Sequence, residues 1–185
     1  MKLYSKYLAI TPYFKDVSLL GLRLLLAYAF LGPALMKWGD MESTIAWFGN
    51  PDWGLGLPFP ALNAYLAATT EILGVVLLLL GLGTRVISLP LIAVMLMAYF
   101  TVHMGHGWLA IGSSADDPEI AERVNMAREI LKEHGNYSWL TAKGSFVILQ
   151  NGAEFVVTYI VMLMSLISFG AGKFSLDNFL LKDKA

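Results

Sequence analysis

The sequence predicts an all-α integral membrane protein, a four-helix bundle with a short amphipathic helix in one long outer loop. Of its 185 residues, 57% are hydrophobic and only 15% are charged, whereas a soluble domain carries roughly 25% charged residues. Four apolar windows approach the roughly 20 residues that a membrane-spanning helix needs. None of them alternates as a β-barrel strand does, and lipid cannot hydrogen-bond exposed backbone, so each window is predicted to be helical.

The four predicted spans form one domain that occupies residues 1–185. They cover residues 17–36, 60–81, 86–101 and 146–169. The third span follows the second after only Gly81-Leu82-Gly83-Thr84-Arg85, which predicts a tight hairpin of antiparallel helices. In the loop before the fourth span, Asp116-Asp117-Pro118-Glu119 predicts the start of the amphipathic helix, which should end near His134-Gly135.

The distribution of lysine and arginine predicts the orientation of these spans. Seven of these residues lie on the side of the two termini and five on the other side, where four of them share one long loop. Long loops weigh little in the positive-inside rule. The sequence therefore predicts a multi-pass membrane protein with both termini in the cytoplasm. The lipid bilayer is its first partner, and a net charge of -1 gives no indication of nucleic-acid binding.

Ionisable residues inside the predicted spans are candidates for a polar site. Arg23, Glu71 and Glu154 would each cost roughly 3 kcal/mol in lipid unless they face the bundle interior and find a partner. We expect the side chains of Arg23 and Glu71 to meet, and Asn151 to share a helical face with Glu154. Arg85, in the turn of the hairpin, is grouped with them. Either these residues form a polar pocket or proton relay, or they form buried pairs that fix helix packing.

Two histidines at the outer end of the third span are candidate metal ligands. His103 and His106 are three residues apart, so on a helix both imidazoles could bind one copper or zinc ion. Two ligands do not complete a site, and hydrogen bonding at the membrane interface is the alternative. The chain has no cysteine, which excludes thiolate chemistry of its own. A redox role would therefore need copper, a quinone or a partner protein, and no complete catalytic motif is present.

Several motifs resemble the DoxX family of small bacterial inner-membrane proteins. The central ones are Thr70-Glu71-Ile72-Leu73-Gly74 and the Gly81–Arg85 turn. Arg23, Lys37-Trp38 and the segment from Gly170 to Asp177 extend the resemblance over nearly the whole chain. The resemblance implies an inner-membrane location and an accessory role, and it supplies no agreed catalytic mechanism.

Within that family the chain looks most like the HvfX-type branch. The features concerned are Trp47-Phe48-Gly49, the segment from Leu57 to Asn63, and the long outer loop. Members of that branch accompany the maturation of copper-binding, ribosomally made peptides. The resemblance thus implies an accessory protein for the maturation, export or handling of such a peptide, with a protein or peptide partner.

Two other functions are compatible with the same residues. The first is a membrane subunit of a quinone- or thiol-linked oxidoreductase system, in which Glu71 or Glu154 handles protons. The second is a small-molecule or ion transporter, for which intramembrane carboxylates are suitable and four helices would need to form a homo-oligomer.

Overall fold

A computed structural model describes residues 2–112 and 118–181, and the chain in these ranges is mostly helical. In order, its elements are α1 (Lys2–Gly39), α2 (Met41–Gly49), α3 (Pro60–Leu80), α4 (Thr84–Ala98), a π-helical turn (Tyr99–His103), a 3-10 turn (Met104–His106), β1 (Ile111–Gly112), α5 (Pro118–His134), α6 (Tyr137–Leu140), β2 (Ile148–Leu149), α7 (Glu154–Phe169) and α8 (Leu176–Leu181).

Three helical stretches are long and apolar enough to cross a membrane: Phe14–Gly39, Pro60–Leu80 and Thr84–His106. They confirm the first three predicted spans as helices. The first and third extend beyond the predicted bounds, because α1 continues to Gly39 and the π-helical and 3-10 turns prolong α4 to His106.

The fourth apolar helix is shorter than predicted, and its predicted start at residue 146 is wrong. Helix α7 begins at Glu154 and has 16 residues, which span about 24 Å at 1.5 Å per residue. The residues before Glu154 are not helical, because Ile148–Leu149 pairs antiparallel with Ile111–Gly112. Asn151 then has a positive φ of 60°, a conformation that ends regular structure rather than continuing a helix.

Contact density divides the chain into two units, and each is described by itself. The first comprises residues 1–97 and 158–185. Its core is apolar and is built by α1, α3, α4 and α7 from Leu19, Leu26, Phe30, Leu78, Leu91, Leu163 and Leu166. Large apolar side chains also cover its outer faces, among them Leu25 at 62% exposure and Val86 at 72%. Such faces are suited to lipid rather than to water.

The predicted hairpin of the second and third spans is present and is shaped by glycines. Gly81, at φ 64°, ends α3, and the backbone N–H groups of Gly81 and Leu82 donate to the carbonyls of Leu78 and Leu77 at 3.2 and 3.0 Å. These two bonds form a Schellman motif, which a left-handed residue permits. Earlier in α3, Gly74 lets Leu91 of α4 approach so closely that a Cβ added to the glycine would lie 2.8 Å from the Cδ2 atom of Leu91.

The second unit, residues 98–157, contains the strand pair and the helix of the long loop. Helix α5 begins at Pro118 and ends at His134, close to the predicted bounds, and Val124 is its buried residue. Asp116 and Asp117, which were predicted to precede it, lie outside the described residues.

Candidate functional site in the helices

A buried ion pair joins α1 to α3. The Lys37 Nζ atom lies 2.8 Å from Oε2 and 3.0 Å from Oε1 of Glu71, so the ammonium donates to both carboxylate oxygens. The Glu71 side chain is 3% exposed and the Lys37 side chain 15%. Glu71 lies in the middle of α3, so this pair places two formal charges inside a candidate membrane span. The arrangement can hold a proton and can offer both a hydrogen-bond donor and an acceptor to a ligand.

The expected contact between Arg23 and Glu71 is wrong. Side chains on a helix lean toward its N-terminus, and α1 and α3 are antiparallel. The side chain of Arg23 therefore leans away from the side chain of Glu71, whereas that of Lys37 leans toward it. Lys37 lies one residue beyond the first predicted span, which ends at residue 36, and its role appears only because α1 continues to Gly39. The Lys37-Trp38 motif was the signal that could have identified it.

Arg23 instead closes the other end of α3. Its side chain is fully buried, with 0% exposure. Its Nη1 atom donates to the carbonyl of Leu78 at 3.2 Å, and its Nη2 atom donates to the carbonyl of Phe174. The last four carbonyls of a helix lack hydrogen-bond donors within the helix, and the helix dipole favours a cation at that end. Arg23 thus acts as a buried cap that links α1, α3 and the segment before α8.

Asp177, in the first turn of α8, is a half-buried residue that was not among the predicted site residues. Its Oδ1 atom accepts from the backbone N–H of Gly83 at 2.7 Å, and its Oδ2 atom from that of Thr84 at 3.0 Å. The backbone N–H of Asp177 donates to the carbonyl of Gly81 at 2.9 Å. A carboxylate at a helix N-terminus is favoured by the free N–H groups and the dipole. The motif from Gly170 to Asp177 therefore fastens the chain's C-terminal segment to the α3–α4 turn.

Replacing Asp177 by alanine is expected to lower the free energy of unfolding by roughly 1–3 kcal/mol, because two N–H groups lose their acceptor. Thermal unfolding in detergent micelles measures the change. Asp52, in an exposed turn, provides the matched control, and Asp52→Ala should be close to neutral. Equal losses in both variants would contradict the capping role.

Arg85 does not join the Lys37–Glu71 pair. It is exposed, and a Cβ added to Gly170 would lie 3.2 Å from its Nε atom. Among the described residues no ion pair involves Arg85. The prediction grouped Arg85 with the intramembrane carboxylates, but Arg85 forms no ion pair with Glu71.

Asn151 and Glu154 belong to the second unit and do not form a helical stripe there. Asn151 lies before α7 and offers its backbone carbonyl, which is 2.7 Å from His103 Nδ1. Glu154 lies in the first turn of α7, and its Oε2 atom accepts from the backbone N–H of Ala110 at 3.2 Å. The expectation that both side chains share one helical face is wrong, since only Glu154 is helical.

Both candidate metal ligands have one ring nitrogen fixed by a backbone carbonyl. His103 Nδ1 faces the Asn151 carbonyl, and His106 Nδ1 faces that of Val102 at 2.7 Å. A carbonyl only accepts, so both rings carry a proton on Nδ1, and Nε2 is the nitrogen left for a metal. This tautomer is the one that second-shell bonds impose on metal-binding histidines. Within residues 2–112 and 118–181, no group of three or more His, Cys, Asp or Glu side chains is placed to hold a metal.

The helices that hold Arg23, Lys37 and Glu71 also carry the match to a known family. The DoxX family model matches residues 18–104 of this chain. This DoxX region contains α3, the α3–α4 turn and His103, and it ends two residues before His106. The match supports the membrane character that the three long apolar helices indicate.

Two relatives extend the comparison. A Haemophilus influenzae protein described as "Uncharacterized protein" is 27% identical over 170 residues, which cover 90% of this chain and 85% of that protein. A Bacillus subtilis protein with the name "Putative oxidoreductase CatD" is 33% identical over 89 residues, which cover 48% of this chain and 62% of that protein. No solved structure matches.

Proposed function

We propose that this chain is a DoxX-type inner-membrane protein that serves a partner oxidoreductase as its membrane-embedded, ligand-binding subunit. The observation that carries the proposal is the ion pair of Lys37 and Glu71, buried between α1 and α3. Intramembrane charges are costly and usually functional. The name of the Bacillus subtilis relative supports a redox setting, and the lack of cysteine means that electrons come from a partner or cofactor.

In this proposal the chain crosses the membrane four times, with α7 as the fourth span. Its 16 residues cover about 24 Å of a hydrocarbon core that is roughly 30 Å thick. Local thinning of the bilayer accommodates a short span at modest cost. Four crossings place both termini on one side, and the lysine and arginine distribution favours the cytoplasm for that side.

A quinone is the ligand class that suits the pair. The Lys37 ammonium donates a hydrogen bond to a quinone carbonyl oxygen, and the apolar surroundings suit the ring and tail. Reduction to the quinol takes two electrons, which the partner supplies, and two protons. Lys37 would supply one of these protons to the oxygen that it binds and would regain a proton from water through the Glu71 carboxylate, while water at the membrane surface would supply the other.

Gently extracted protein tests this proposal by native mass spectrometry. We expect wild-type protein to carry a quinone-sized addition, or to bind an added short-chain quinone, and Glu71→Gln to lose it because the carboxylate that holds the Lys37 ammonium in position is gone. Glu42 is an exposed carboxylate in α2, and Glu42→Gln is the matched control that should keep the ligand. Quinone binding that is the same in Glu71→Gln and wild type would remove the pair from the site.

The paired histidines support a second function, the handling of a copper-binding peptide in an HvfX-type pathway. Their fixed Nδ1 protons leave two Nε2 lone pairs near the end of one helical stretch, and the peptide would supply the remaining ligands. This function uses copper as cargo rather than as a resident cofactor.

Copper titration of the purified protein tests the second function. Replacing His103 and His106 by alanine is expected to weaken copper binding at least tenfold, since imidazole is the main copper ligand that these positions offer. His134, exposed at the end of α5, is the control, and His134→Ala should bind copper as wild type does. Equal affinity in all three proteins would refute the role of the pair.

A further inference from the structure

Two cations lie beside the end of α7, one against Phe169 and one against Gly170, and within the described residues neither forms an ion pair. The Lys15 Nζ atom lies 5.6 Å from the centroid of the Phe169 ring. The Arg85 guanidinium packs against the next residue, Gly170. Both cations are exposed, and within the described residues neither takes part in an ion pair. The last turn of a helix attracts positive charge, which favours a cation at each of these two positions.

The acidic residues at this end of the unit are already bonded to other groups. The Asp16 carboxylate, which lies beside Lys15, accepts from the backbone N–H of Lys173 at 3.0 Å and lies 3.4 Å from its Nζ atom. Asp177 is bonded to the α3–α4 turn. Among the side chains that the structure describes at this end, two acids thus face four cations, an excess of two positive charges: Lys15, Arg23, Arg85 and Lys173.

The position of the two cations matches a membrane–water boundary. Arg85 is the second residue of α4, and Lys15 lies two residues before the apolar run that begins at Val17. Directly beside them, large apolar side chains are exposed, including Val86 at 72% and Phe169 at 59%. One phospholipid could contact both features. Its phosphate would bind the two cations, and its acyl chains would pack against the exposed apolar side chains.

We propose that Lys15 and Arg85 bind the headgroup phosphate of an anionic phospholipid whose acyl chains lie along α4 and α7. Arginine can bind phosphate through two parallel hydrogen bonds, and lysine adds a point charge. The excess of two positive charges favours a lipid with net negative charge over a zwitterionic one. The proposal depends on the membrane placement of these helices and not on the redox role of the Lys37–Glu71 pair.

Lipid nanodiscs test the site. We expect wild-type protein in phosphatidylcholine discs with one third phosphatidylglycerol to retain phosphatidylglycerol in native mass spectra and to melt several degrees higher than in pure phosphatidylcholine. Replacing Lys15 and Arg85 by glutamine should lower the apparent affinity for phosphatidylglycerol by roughly thirtyfold. Lys132 and Lys143 are exposed cations of the second unit, and replacing both by glutamine is the control for the same change in net charge.

Two further outcomes decide the ligand and its source. Lys15→Arg with Arg85→Lys keeps both charges and should retain the lipid, so the site stays testable if the glutamine variant does not fold. Inorganic phosphate added to pure phosphatidylcholine discs should not raise the melting temperature. A rise with phosphate alone, or unchanged lipid retention in the glutamine variant, would overturn the proposal.

Discussion

Lys37→Met is expected to lower the free energy of unfolding by about 3–5 kcal/mol, because it leaves the Glu71 carboxylate buried without a counter-charge. Glu71→Leu should lower the free energy of unfolding by a comparable amount, because it leaves the Lys37 ammonium without a counter-charge. The double variant, Lys37→Met with Glu71→Leu, should recover most of the loss, since apolar residues of similar volume often replace a buried pair at little cost. Reversible unfolding in mixed micelles, followed by tryptophan fluorescence, measures all three.

The exposed ion pair of Arg123 and Glu119 in α5 is the control for this result. Its side chains are 68% and 70% exposed, and exposed pairs contribute little to stability. Arg123→Met should therefore leave unfolding nearly unchanged. If Lys37→Met is equally mild, the pair does not hold α1 to α3. If the double variant is stable but binds no quinone, the pair is retained for ligand binding rather than for packing.

Gly81→Ala is expected to destabilise the protein by several kcal/mol. Its φ of 64° is a left-handed conformation that costs an alanine roughly 1–2 kcal/mol. A Cβ would also overlap the Arg23 Nη1 atom and lie 2.5 Å from the Cβ of Ser175. Relief of the overlap would move a buried guanidinium from the carbonyls of Leu78 and Phe174, and leaving a buried charge unsatisfied is costly.

Gly83→Ala separates the two causes of that loss. Gly83 has a similar φ of 58°, and no heavy atom lies within 4 Å of an added Cβ. It therefore reports backbone strain alone, which should cost roughly 1–2 kcal/mol. Melting temperatures of the two variants in the same detergent provide the comparison. Equal losses would show that Arg23 does not need the space beside Gly81.

The sequence by itself determined the membrane class, three of the spans and the hairpin between two of them. The physical reason is that these features depend on local quantities: the length of an apolar run, the unsatisfied backbone in lipid, and glycines at a turn. Glu71 and Arg23 were also recognisable as buried residues with a role, because a charge inside an apolar run must find a partner.

Only the tertiary structure decided which partner each charge has. Lys37 rather than Arg23 pairs with Glu71, because two antiparallel helices set the relative heights of their side chains and each side chain leans toward its own N-terminus. The late start of α7 also depends on a long-range contact, the pairing of Ile148–Leu149 with Ile111–Gly112. An apolar run can form a helix or a strand, and the neighbour that takes its backbone hydrogen bonds decides between them.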